Sequence, residues 1–178
     1  PPGVLYRSTD AGGHWTHATA PCGRGYAPTG IGVAPTPDDV AITCTGDGAS
    51  EHITKHVYVS TNGGRTFTRT AADPPKLGDT APVTLPSPGV IVVGSSSVAS
   101  MLYRSDDNGG HWATALRVGT DGNGQPLRDL GFTTADQGVV VVGIAAKPLA
   151  GFEPRLYLTR DAGRHWASVE FTPENRTP

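Results

Sequence analysis

The sequence has little positive charge to concentrate. Its only lysines are Lys55, Lys76 and Lys147, its arginines are scattered, and the formal net charge is −2. Neutralising phosphates needs a local surplus of Lys and Arg, so nucleic acid and anionic membrane surfaces are excluded as expected partners. No apolar run approaches the roughly 20 residues of a membrane-spanning helix. No stretch of ten residues carries helical apolar spacing. The opening Pro1-Pro2-Gly3 has no signal-peptide character, and the chain is expected to be mature or cut from a longer one. The two cysteines, Cys22 and Cys44, supply only half of a tetrahedral metal shell. They are either buried thiols or one disulfide, which would imply a secreted or cell-envelope protein.

Glycine (24) and proline (16) are abundant, a load that breaks helices and punctuates short strands. The punctuation is periodic. Ser8/Asp10/Gly12/Trp15, Ser60/Asn62/Gly64/Phe67, Ser105/Asp107/Gly109/Trp112 and Thr159/Asp161/Gly163/Trp166 repeat one pattern, about 50 residues apart. Its physics is local. An apolar strand ends at Ser or Thr, and Asp or Asn accepts hydrogen bonds from backbone N–H groups of the turn. Gly takes a positive φ, and the aromatic ring packs under the turn as the return strand begins.

Upstream of the last three turns lie the apolar runs Val40–Cys44, Val90–Gly94 and Val139–Gly143. Such runs suit strands buried on both faces. Val33, Val83 and Phe132 each stand seven residues before a run, with turn-forming residues 35–39, 85–89 and 134–138 between. Each repeat therefore reads as four antiparallel strands, and four-stranded units at this period read as propeller blades.

The four turns resemble the Asp box, also called the bacterial neuraminidase repeat. The chain is similar to the Asp-box β-propellers: sialidases, sortilin-type receptors, xyloglucanases and photosystem II assembly-factor-like proteins. The stretch Leu130–Gly138 with its following valines is most like the last group. One departure is that His14, His111 and His165 precede the tryptophans where the family usually has Thr, which only Thr66 keeps. The expected fold is all-β: a single, partial propeller over 1–178. Its repeats fall approximately at 1–18 (the last two strands of a blade only), 29–70, 79–118 and 127–172, about three and a half blades. Further polypeptide, upstream sequence or a second copy, is expected to complete it, because open blade edges invite aggregation.

Antiparallel order puts the turns at one end of each blade. The linkers (about 18–29, 70–80 and 117–128) and the loops between second and third strands (about 45–56, 95–100 and 144–155) fall at the other. That end has the length and variety to carry function. Strand pairing sets Cys44 opposite about residue 29, with Cys22 in the linker over the same end, which favours a Cys22–Cys44 disulfide. The candidate ligand face comprises Arg24, Tyr26, Glu51, His52, His56, Arg128 and Asp129, with Asp47, Lys55 and Arg155 nearby. Glu51-His52 and Lys55-His56 form its densest cluster and read as a solvated loop; His52 and His56 alone are too few for a metal site. Tyr6, Tyr58, Tyr103 and Tyr157 recur at one repeat position and therefore pack a repeated environment. The three pre-tryptophan histidines recur likewise and read as surface clasps. Asn175-Arg176-Thr177 fits the glycosylation pattern.

No unrepeated acid–base pair stands out, and no cofactor is expected. The expected function is a non-catalytic secreted or cell-envelope module that binds a protein or glycan. The resemblance leaves open a glycoside hydrolase. A sialidase-like site would need an arginine cluster, a Tyr–Glu pair and an acidic catalyst. Arg24, Arg128 and Arg155 with Tyr26 and Asp129 are its only raw materials, and the Arg-(Ile/Leu)-Pro motif of sialidases is absent.

Overall fold

The computed structural model describes residues 3–35, 38–46, 48, 52–76, 78, 82–97, 99–119, 126–143 and 154–170. Among these, every regular element is a strand. β1 (Val4–Arg7) and β2 (Thr16–Thr19) form a two-stranded ribbon. Three four-stranded antiparallel sheets follow in chain order. The first holds β3 (Tyr26–Val33), β4 (Val40–Gly46), β5 (Lys55–Ser60) and β6 (Thr68–Arg69). The second holds β7 (Val83–Ser87), β8 (Val90–Ser96), β9 (Ser100–Ser105) and β10 (Ala113–Val118). The third holds β11 (Leu127–Phe132), β12 (Gly138–Val142), β13 (Arg155–Thr159) and β14 (Ala167–Val169). The result is a partial propeller of about three and a half blades.

The apolar runs become the second strands because sheet packs on sheet. Val57, Val59 and Ala41 of the first four-stranded sheet meet Val83, Leu85, Ile91 and Val93 of the next. On the middle sheet's other face, Val92 and Leu102 meet Val140, Val142 and Tyr157 of the last. Burying a Val or Leu side chain is worth about 1.5–3 kcal/mol, so these two layers dominate the fold's stability. At the inner edge, β3 packs on β7 and β7 on β11. There the backbones touch: a Cβ on Gly32 would lie 2.2 Å from the Val83 carbonyl oxygen.

The hairpin tip of the middle blade is shorter than its sequence implies. Residues 85–89 read as a turn, yet β7 runs on to Ser87. Leu85 is 1% exposed and belongs to the core, and that burial holds the chain in the sheet. The register shifts between Thr84 and Ser87, so Pro86 sits in a bulge, where a missing N–H is tolerated.

Candidate functional site

At one end of the sheets the four turns share one geometry. The hydroxyl of Ser8 accepts from the Gly12 amide (2.8 Å) and donates to Asp10 Oδ1 (2.8 Å). Asp10 Oδ1 also accepts from the His14 amide (2.8 Å). Ser105/Asp107/Gly109/His111 and Thr159/Asp161/Gly163/His165 repeat these bonds at 2.8–3.0 Å. Ser60/Asn62/Gly64/Thr66 repeats them at 2.9–3.0 Å. Two successive residues per turn take positive φ: Ala11/Gly12, Gly63/Gly64, Asn108/Gly109 and Ala162/Gly163. The second is always glycine.

A positive φ is all that the sequence asks of these glycines, and the structure corrects that reading at Gly109 and Gly163. Both are buried, whereas Gly12 is exposed and Gly64 half-buried. The cause is blade stacking. The last two turns each lean on a complete preceding blade, and the first two have none before them. A Cβ on Gly109 would strike Thr70 at 2.4 Å. One on Gly163 would press on Val92 Cγ2 at 3.2 Å and on the Phe132 ring at 3.3 Å. Gly163 is therefore an inter-blade packing position as well as a turn residue. The hydroxyl-bearing residues of these turns, Ser105 and Thr159, are buried with them, as is Ser60.

The three histidines bond the carboxylates of their own turns at the surface. His14, His111 and His165 each direct Nδ1 at the second carboxylate oxygen of their turn, 2.5 Å away. A carboxylate only accepts, so Nδ1 carries the proton and Nε2 faces solvent. Where the turn has Asn62, its amide nitrogen donates instead to Thr66 Oγ1 (2.8 Å). These bonds hold the Asp10 carboxyl down at about 2, through the His14 amide first and then the His14 ring and Ser8. Asp107 is held well below the usual carboxylate range, chiefly by the His111 ring and amide. For Asp161, partial burial acts upward but is outweighed by the His165 amide, the His165 ring and Thr159, so its carboxyl too lies low. Neighbouring turns are also tied together. Arg104 donates through Nε to the Ala162 carbonyl (2.8 Å), and Asp106 pairs with Arg104 and Arg164.

The other end carries the unrepeated chemistry. Cys22 and Cys44 form a disulfide with Cα atoms 5.5 Å apart, tying the chain after the ribbon to β4. Lys55 and His56 are not in a solvated loop. Both lie on β5 and both are buried, because β5 begins two residues earlier than its apolar pattern shows. Lys55 Nζ donates to the Gly78 carbonyl at 2.6 Å. His56 Nδ1 meets Asp73 Oδ1 at 2.9 Å, and Arg69 Nη2 donates to both oxygens of Asp73 at 3.0 and 2.8 Å. Tyr26, the first residue of β3, lays its ring against the His56 imidazole with centroids 4.3 Å apart. Sequence reasoning misses Asp73 and Arg69, because no local signal marks them.

The other candidates stay apart from this cluster. Arg24 is exposed between β2 and β3, and His52 is exposed before β5. Arg128 and Asp129 are exposed in a bulge of β11, with the sheet β7–β10 between them and His56. Glu51, Asp47 and Asn175-Arg176-Thr177 lie outside the described residues. Among the described residues no group of three or more His, Cys, Asp or Glu could hold a metal ion.

A third feature is a surface cleft of about 440 Å³ between the ribbon and the face of β3–β4 turned toward it. Leu5, Tyr6 and Trp15 line one side, and Ile31, Val33 and Val40 the other. Among the described residues, the large exposed apolar side chains Val4, Tyr6, Trp15, Ile31 and Val33 all lie on these two elements or the turn between β1 and β2.

No protein-family model matches the chain, and no curated protein matches it. Solved structures do. The GH74 xyloglucanase of Xanthomonas campestris is similar at 25% identity with a TM-score of 0.53, over 82% of this chain and 24% of the enzyme. The GH74 enzyme of Niastella koreensis is similar at 19% identity with a TM-score of 0.51, over 79% of this chain and 17% of the enzyme. The NanB sialidase of Streptococcus pneumoniae is similar at 12% identity with a TM-score of 0.56, over 87% of this chain and 25% of the enzyme. The chain thus spans a quarter or less of the length of these three enzymes, and what it shares with them is the blade architecture of a β-propeller.

Proposed function

We propose that this chain is part of a β-propeller that works by binding, as a protein-assembly module outside the cell or in the cell envelope. One observation carries the reading: four of the five large exposed apolar side chains among the described residues, Tyr6, Trp15, Ile31 and Val33, line one cleft beside a two-stranded sheet. Contiguous apolar surface of that kind marks a docking site. The Cys22–Cys44 disulfide supports an oxidising compartment. The four turns, read as Asp boxes, serve the fold, because their side chains bond within their own turn. Light scattering tests the reading. The chain of 18.4 kDa should self-associate or capture polypeptide through the cleft, and the I31K/V33K double variant should not. A non-associating wild-type monomer that leaves the cleft open would overturn it.

A second reading, a fragment of a glycoside hydrolase, draws on the 25% identity to the GH74 xyloglucanase. Release of reducing sugar from xyloglucan, or turnover of a fluorogenic sialoside abolished by changing Tyr26 or Arg128, would establish it over the first.

A further inference from the structure

The two junctions between complete blades are closed differently at the turn end. In the second junction Arg104, the residue before the turn hydroxyl of Ser105, crosses to the next blade. It donates through Nε to the Ala162 carbonyl at 2.8 Å. Its Nη1 pairs with Asp106, and Arg164 reaches back from the next blade to the same carboxylate at 3.1 Å. In the first junction each of these places holds a smaller, uncharged residue. Val59, before Ser60, stands for Arg104; Thr61, after Ser60, for Asp106; and Gly110, two before Trp112, for Arg164. The Asn108 carbonyl is the equivalent of the Ala162 carbonyl, and Val59 has no donor to offer it.

What remains at the first junction is a cleft of about 430 Å³ between β6 and the turn that holds Asp107 and Asn108. Both sheets that enclose it are four-stranded, so it is not the edge of a missing strand. Val59 and Thr70 are its buried residues, and Thr61 and Thr68 stand exposed at its mouth. The second junction shows which group such a space accepts. Arg104 uses a backbone carbonyl and a carboxylate there, and the cleft keeps one of each. Asp107 Oδ1 already accepts from the Ser105 hydroxyl and the His111 amide, both at 2.8 Å, while Oδ2 has only the His111 ring. A carboxylate oxygen takes about two donors, so Oδ2 has room for another. The cation lining the cleft, Arg69, is already committed to both oxygens of Asp73.

We infer that this cleft between the first two complete blades binds an arginine side chain presented by a partner polypeptide. The guanidinium donates to the Asn108 carbonyl and to Asp107, as Arg104 does to Ala162 and Asp106 one junction on. A planar fork serves two acceptors at once, whereas a lysine ammonium is a point charge. The exposed hydroxyls of Thr61 and Thr68 meet the partner's backbone on either side of that arginine. That is why the guest is a residue in a chain and not a free guanidine. The site makes no use of the cleft beside the ribbon and stands or falls apart from it.

The probe is the capped peptide acetyl-Gly-Arg-Gly-amide, titrated into the isotope-labelled 178-residue chain and followed by NMR. The amides of Thr68, Thr70, Asn108 and His111 should shift and saturate with a Kd of about 1 mM. The lysine peptide and methylguanidine should each bind at least about tenfold more weakly. The D107N/H111T double variant installs the pair that Asn62 and Thr66 already form in the blade before, so its turn stays closed. It should bind the arginine peptide about tenfold more weakly. Val59→Arg should supply the guanidinium from within and abolish binding; should that variant fail to fold, D107N/H111T carries the test. The I31K/V33K chain should bind as the native one does, and loss of binding there would move the peptide to the ribbon and overturn the assignment. No saturation at these amides up to about 10 mM would overturn it outright, as would full affinity in D107N/H111T. Equal binding of the lysine peptide would reduce the site to a general cation attraction. Equal binding of methylguanidine would refute the polypeptide partner.

Discussion

The two ends of these sheets are held by different kinds of bond. At the turn end the bonds that recur in all four turns join partners two to four residues apart. At the linker end Lys55 reaches Gly78, His56 reaches Asp73 and Cys22 reaches Cys44, and none of these has a counterpart in another blade among the described residues. Repetition means that the turn end answers a need every blade has, which is closing a hairpin. The linker end ties one particular ribbon and one particular linker to the first complete blade. Stability specific to this protein should therefore be concentrated there, and changes at a turn should cost less.

The largest effect is expected at Lys55. Truncation by Lys55→Ala removes a fully buried stem and leaves the Gly78 carbonyl without its ammonium donor, and should cost about 3–4 kcal/mol in urea unfolding. Next is the disulfide. The Cys22→Ser/Cys44→Ser double variant opens a loop across 22 residues and should lose about 3 kcal/mol, a loss that reductant should reproduce in the native protein. A turn is smaller: Asp161→Ala should lower the melting temperature by roughly 3 °C. A loss at Asp161 larger than at Lys55 would reverse the ranking of the two ends.

The turns can also be compared with one another by pH. The Asp10 carboxyl is lowered from 3.8 to about 2, so its contribution is complete above pH 3.8 and disappears as pH falls through about 2. In an NMR titration the His14 amide, bonded to that carboxylate, should shift with a midpoint near 2, while the Thr66 amide, bonded to Asn62, should not follow. A His14 amide that titrates at the ordinary carboxylate value would show that the bond is not formed in solution. The smallest effect is a transplant. Changing Asn62→Asp together with Thr66→His rebuilds the carboxylate–imidazole pair of the other turns and should alter unfolding free energy by less than about 0.5 kcal/mol. Either change alone should cost more, because one partner of the Asn62–Thr66 bond is then mismatched.

This division by sequence distance also governs what can be read before any coordinates. The Ser–Asp–Gly–aromatic spacing lies within eight residues, so the hairpins and the blade count are legible from Ser8 to Trp166. The disulfide is legible because strand pairing around one hairpin tip brings Cys44 opposite Pro28. His56 stands out in the sequence, but it reads as part of a loop, since nothing local reveals that Asp73, seventeen residues on, returns to bond it. Leu85 and Pro86 mislead for a similar reason. Two prolines and a glycine read as a turn, and only the packing of the neighbouring sheet draws Leu85 inward. Gly163 announces its φ but not its burial, which Val92 of another sheet supplies. The repeat marks His14, His111 and His165 as surface clasps, but an imidazole in the place of a hydroxyl gives no sign of which atom it will seek.

Gly32 has a geometric consequence that reaches beyond its own strand. Because its missing Cβ lets β3 meet the Val83 carbonyl directly, the hub spacing between the first two complete blades is a backbone contact. Farther out, Trp112 packs between the same two blades and donates to the Ala72 carbonyl, and the Ala72 amide donates in turn to the Gly109 carbonyl at 2.8 Å. The equivalent of Gly32 in the next blade is Thr84, so the step between the first two complete blades is built differently from the one that follows it.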